Sequence, residues 1–148
     1  MRLPLYREQS KPNLLADGYD VKSIETWDYN CIGFAAGDEH NWWWPDPDGD
    51  GFWPIQERDE TLDCFERAFR TLGFLRCSDP SLEPGFEKVA VYVDKGIPTH
   101  AAKQLPNGKW KSKLGPWEDI EHNSLFGLEG DEPAYGKPAL YMRKPIIV

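Results

Sequence analysis

Cysteine, positive charge and long apolar runs are what this chain has little of. Its three cysteines, Cys31, Cys64 and Cys77, are an odd number without paired spacing, which argues against a disulfide framework and a Cys-rich zinc site. The first eleven residues hold Arg2, Pro4, Arg7 and Glu8 and no apolar run. Neither a signal peptide nor a membrane span is therefore expected, and the cytoplasm is the expected compartment unless a specialised secretion system exports the chain. Only 17 basic side chains stand against 25 acidic ones, a net charge of −8. That balance opposes non-specific attachment to nucleic acid and to anionic membranes, leaving a protein or peptide as the expected partner.

Aromatic residues are plentiful: seven Trp, six Tyr and seven Phe in 148 residues. This length suits one domain with one core, and 13 prolines and 13 glycines predict extensive loops. Residues 1–26, broken by Pro4, Pro12 and Gly18, read as an arm wrapped on a single domain spanning 27–148. Thr61 is placed to cap a helix running to about Leu72, with Leu62, Phe65, Phe69 and Leu72 on one face and Gly73 as terminator. The alternation from Lys88 to Val93 predicts a strand, followed by a turn at Asp94-Lys95-Gly96 and a second strand from Thr99 to Leu105. Asn107-Gly108 signals a hairpin returning through Trp110 to Leu114, and Ala139 to Arg143 reads as a last strand. The order of parts is that of an α+β domain: a helix bearing Cys31, a second helix, then an antiparallel meander.

Cys31 stands where the polar approach Trp27-Asp28-Tyr29-Asn30 gives way to Ile32-Gly33-Phe34-Ala35-Ala36. A thiol opening a helix faces unpaired N–H groups, which favour the thiolate. Acyl transfer needs such a thiolate, a base, a group that orients the base, and oxyanion donors. His100, held on a strand beside Ala101 and Ala102, is the expected base, with Cys64 and Cys77 expected to be structural. A two-residue turn at Asn107-Gly108 would pair Lys103 with Ser112 and set His100 and Ser112 on opposite faces. A three-residue loop would pair Gln104 with Ser112, gathering His100, Ala102, Gln104, Trp110, Ser112 and Leu114 on one face with Lys111 and Lys113 outside. Ser112 and His122 thus compete for the third position.

Tyr29-Asn30-Cys31-Ile32, Ala35-Ala36-Gly37, Trp42-Trp43-Trp44-Pro45, His100 to Leu105, Trp110 to Gly115 and Ile120-Glu121-His122 together resemble an uncharacterised bacterial domain family. A cysteine opening a helix ahead of a histidine-bearing meander is similar to the papain-like superfamily, including CHAP-type cell-wall amidases and endopeptidases and papain-fold toxins. The resemblance implies a papain-like fold and a cysteine-dependent amide hydrolase or acyltransferase with Cys31 as nucleophile and His100 as general base and acid. Papain uses a glutamine ahead of its cysteine, and none lies shortly before Cys31. Asn30 or Asp28 would then serve the oxyanion or substrate, with Gln104 and Trp43 also near the substrate.

Two further features bear on function. Asp46, Asp48, Asp50, Gly51 and Glu57 satisfy the spacing of a calcium loop, D-x-D-x-D-G-x5-E, although Pro54 and the preceding Trp42-Trp43-Trp44-Pro45 are foreign to an EF-hand. No other cofactor is implied. The acidic, Trp-rich surface also fits a different class of protein, a non-catalytic binding or immunity-type module directed at a basic partner.

Overall fold

The computed structural model describes residues 1–146. It is mixed helix and strand, dominated by an antiparallel sheet of seven strands. The chain begins with two short helices, α1 (Leu5–Gln9) and α2 (Leu14–Asp17), and enters the sheet at once through β1 (Tyr19–Val21). It then forms α3 (Cys31–Ala36), the aromatic loop, α4 (Leu62–Arg70), and β2 (Leu75–Cys77). The meander follows as β3 (Phe86–Asp94), β4 (Ile97–Gln104), β5 (Trp110–Lys113) and β6 (Asp119–His122). After a 3-10 turn at Leu125–Leu128, β7 (Lys137–Pro145) returns beside β3, giving the order β1-β6-β5-β4-β3-β7-β2.

The long helix and the long strands follow directly from the sequence. Thr61 Oγ1 accepts the Cys64 amide at 3.2 Å, and Gly73, at φ +95°, ends the turn after α4. The first strand pair turns at Lys95 and Gly96, with φ of 52° and 80°, the left-handed pair that a two-residue hairpin requires. The second hairpin closes with the Leu105 amide on the Lys109 carbonyl, so Gln104 faces Trp110 and Lys103 faces Lys111. Neither expected pairing of Ser112 occurs, because Lys103 and Gln104 are taken by Lys111 and Trp110; on its other side Ser112 lies opposite Ile120 of β6. The facial grouping of the three-residue alternative is nevertheless the one present, since a shift of two residues preserves side-chain alternation.

Both faces of the sheet are covered. On one, Phe65, Ala68 and Phe69 of α4 and Ile32 and Ala35 of α3 pack on Val89, Val91, Ala101, Leu140 and Met142, with Trp43 and Trp53 closing the edge. On the other, Leu3, Leu14, Leu125 and Leu128 pack on Ala90, Tyr92, Ala102, Trp110 and Ile120. Residues 1–26 supply the edge strand β1 and, through Leu3 and Leu14, part of the cover of the second face. Arg7 fastens them, its guanidinium bridging Glu118 at 2.7 Å and Glu25 at 2.6 Å over the ring of Trp117. Among the described residues no helix is long and apolar enough to cross a membrane.

Candidate functional site

Asn30 builds the start of α3. Its Oδ1 accepts the amides of Gly33 at 3.1 Å and Trp43 at 2.9 Å, while its Nδ2 donates to the Trp43 carbonyl at 2.8 Å. One side chain thus caps the helix and pins the aromatic loop to it, which is a structural duty, not an oxyanion one. Cys31 follows at 6 % exposure, facing the sheet. Burial pushes its thiol up to about 11, with backbone groups of Ala101 and Ile32 offsetting part of the effect. The expected lowering by the helix start is outweighed, since desolvation disfavours the thiolate more than a helix of six residues favours it.

His100 is on the other side of the sheet. Alternation along β4 sends Ala101 toward α3, into the cluster that holds Cys31 and Val91, and sends His100 and Ala102 away from it. His100 stacks on Tyr135 at 4.1 Å and 9° and meets the edge of Tyr92, its cross-strand partner, at 5.3 Å. The ring is wholly buried, and neither nitrogen has a hydrogen-bond partner among the described residues. Its pKa is driven well below the ordinary range by burial, then by His122 and Lys11. The expected Cys31–His100 pair is therefore not assembled: the backbone of β4 stands between the two side chains.

The other catalytic candidates, Ser112 and His122, do meet. Ser112 Oγ lies 2.8 Å from His122 Nε2, and His122 Nδ1 lies 2.8 Å from the Ser124 carbonyl. A carbonyl can only accept, so Nδ1 carries the proton and Ser112 donates to Nε2. Both side chains have no exposed surface, and burial lowers the pKa of His122. They form a satisfied polar pair inside the second core. Gln104, the remaining polar candidate on this face, donates to the Pro80 carbonyl at 2.9 Å. Asp28 is exposed, and Trp43 is buried with its Nε1 on Asp38 at 2.8 Å. Lys113, expected outside, is buried, with Nζ on the Thr26 carbonyl at 2.8 Å, and its pKa falls to about 8 through burial.

The acidic loop gathers only part of its calcium pattern. Oxygens of Asp46, Asp48 and Asp50 lie within 4.8 Å of one another, but Glu57 turns away to Arg67 at 3.1 Å. Asp46 Oδ1 accepts the Asp48 amide at 2.9 Å, and Arg58 Nη1 donates to the Asp46 and Gly51 carbonyls at 3.0 Å each. The carboxylate that would close such a loop is engaged by Arg67, and the Arg58 guanidinium links the first and sixth positions of the loop through their carbonyls. As arranged, three of the four expected carboxylates converge and the fourth is paired with Arg67 instead.

The same region holds what a residue-by-residue search passes over. Trp27 is 74 % exposed and stacks on Trp42 at 5.4 Å and 22°. Phe52, 44 % exposed, donates its amide to the Trp42 carbonyl at 2.8 Å and packs its ring on Trp43. Between Glu25 and Glu60 the sequence places ten carboxylates and one cation, Arg58, a net charge of −9; the rest of the chain carries +1. Among the described residues only Glu25 and Glu57 of those ten form ion pairs. An acidic, Trp-rich surface was legible in the sequence; its confinement to this stretch comes from summing charge by segment.

A family defined as a domain of unknown function, DUF7689, matches residues 20–143. The chain belongs to the DUF7689 family. No curated protein and no solved structure matches it. The DUF7689 match takes in β1 from Asp20, the acidic aromatic stretch, β2 to β6 and β7 as far as Arg143. Leu3 and Leu14, which close the second core of this DUF7689 domain, lie ahead of the matched residues.

Proposed function

We propose that this domain is a non-catalytic protein-binding module whose acidic, tryptophan-rich face takes a basic polypeptide. The observation that carries the reading is the confinement of all the net negative charge to residues 25–60, the stretch that also exposes Trp27 and Phe52. Unpaired carboxylates beside flat apolar rings complement chains rich in Lys and Arg, through charge and through cation–π contact. On this reading the papain-like order of parts supplies architecture without chemistry. A cysteine hydrolase would need Cys31 and His100 on one side of β4, and the buried, high-pKa thiol weighs against that role.

The test is a titration of the full chain with nona-arginine, nona-lysine and nona-glutamate peptides, followed by tryptophan emission at low and at high salt. Both cationic peptides are expected to bind at low salt and to weaken as salt screens the face, with nona-glutamate inert. Absence of binding by either cationic peptide at low salt would overturn the reading.

A further inference from the structure

We infer that the outer face of Trp27, backed by Trp42, is a seat for an arginine side chain of the basic partner; this rests on the binding reading above and names the chemistry of its contact. A tryptophan left 74 % exposed beside a second indole is costly in water unless something covers it. The stacked geometry, 22° between the planes, presents one flat and open indole face. Guanidinium is the cation that matches a flat face, because it is planar, weakly hydrated and stacks, whereas an ammonium is a strongly hydrated point charge.

The chain already uses this chemistry with its own arginines, Arg143 over Phe86 beside Glu83 and, more fully, Arg7. Arg7 lies over the rings of Tyr6 at 5.3 Å and Trp117 at 5.0 Å while its nitrogens reach Glu118 and Glu25. Ring below and carboxylates at the rim hold one guanidinium there. Trp27 and Trp42 repeat the ring, and Asp28 and Glu39, neither in an ion pair among the described residues, stand close to them in sequence. No cation of the chain lies over either indole among the described residues. The single arginine of the segment, Arg58, is committed to two backbone carbonyls.

Charge favours a basic peptide over the other occupants of an aromatic patch. A lipid surface of anionic headgroups is repelled by a segment of −9, and a second copy would bring the same −9 against it.

The experiment compares nona-arginine with nona-lysine on the parent chain, Trp27→Ala and Trp27→Phe. Trp27 is exposed, so Trp27→Ala should fold, and an unchanged melting temperature checks that. Trp27→Ala is expected to weaken nona-arginine about two- to five-fold, the range for an exposed cation–π contact. Trp27→Phe should recover part of that loss, and nona-lysine should change less than nona-arginine. If both peptides bind the parent and Trp27→Ala holds nona-arginine as tightly, this inference falls while the binding reading stands. If neither peptide binds the parent, the binding reading itself falls. A blue shift of tryptophan emission on phosphatidylcholine vesicles, or a dimer that Trp27→Ala dissolves, without a response to nona-arginine, would overturn the inference in favour of lipid or of self-association.

Discussion

At the scale of single residues, burial decides what Cys31 can do. With the thiol raised to about 11, only about one molecule in a thousand holds a thiolate at pH 8, so its reaction with iodoacetamide should be slow. Mass spectrometry of the alkylated chain should find half-buried Cys77 modified before Cys31, with His100→Ala leaving the Cys31 pH profile unmoved. Faster labelling of Cys31 at neutral pH would show a thiolate that the buried setting does not provide. The position of Cys31 at a helix start was legible in the sequence, because Asn30 is a strong cap residue ahead of a small apolar run. Its side of the sheet was not, since alternation says that His100 and Ala101 point apart without saying which of them α3 covers.

His100 carries a second consequence at this scale. Its folded pKa is lowered, so the unfolded chain takes up the proton first as pH falls. Its contribution is whole above the ordinary histidine range, about 6.5, and is lost below it at up to about 1.4 kcal/mol per pH unit. His122, also lowered by burial, acts in the same direction. Replacing His100 by Phe keeps a flat ring against Tyr135 and removes two nitrogens that have no partner. Urea unfolding of His100→Phe should show stability equal to the parent or about 1 kcal/mol higher at pH 7, and a shallower decline toward pH 5. A variant that is less stable at pH 7 and just as acid-sensitive would mean that the ring nitrogens are satisfied.

At the scale of elements, α3 is held less by its own six residues than by Asn30. Asn30→Ala removes two acceptances and one donation at once, leaving the buried Trp43 amide and carbonyl without that side chain. The expected cost is about 3 kcal/mol, a cap plus an unmet buried group, read as a drop in the urea midpoint. Asn30→Asp keeps the acceptor and should recover part of it. The same crowding explains Gly33: a Cβ there would sit 2.7 Å from the Asn41 carbonyl oxygen. The elements legible in the sequence were those long enough to show a period, α4 with its Phe65 and Phe69 and β3 with its alternating valines. β1, β2 and β6 have three or four residues, too few for alternation to stand out, and β1 follows directly on Gly18 in a segment whose prolines suggested loop.

At the scale of the whole molecule, two segments distant in sequence complete one another. Residues 1–17 bring Leu3 and Leu14 onto the sheet face that Ala90, Tyr92 and Ala102 line. Deleting them uncovers that face and also strips Arg7 from Glu118. A shortened chain should melt several degrees lower and bind an apolar dye that the full chain ignores; an unchanged melting temperature would mean that the face is closed by other means. The acidic calcium spacing shows why a motif alone misleads at this scale. Its three aspartates do converge, but the glutamate needed to close the loop is engaged by an arginine of α4, a partner that no local pattern contains.

The separation of charge also acts before any contact is made. A chain with −9 in one stretch and +1 in the remainder concentrates its attraction for a cation on that stretch. On the proposed binding reading a basic partner would be drawn to the Trp27 side, so ionic strength should govern mainly how fast the two find one another. The proposed indole contact would then set how long they stay.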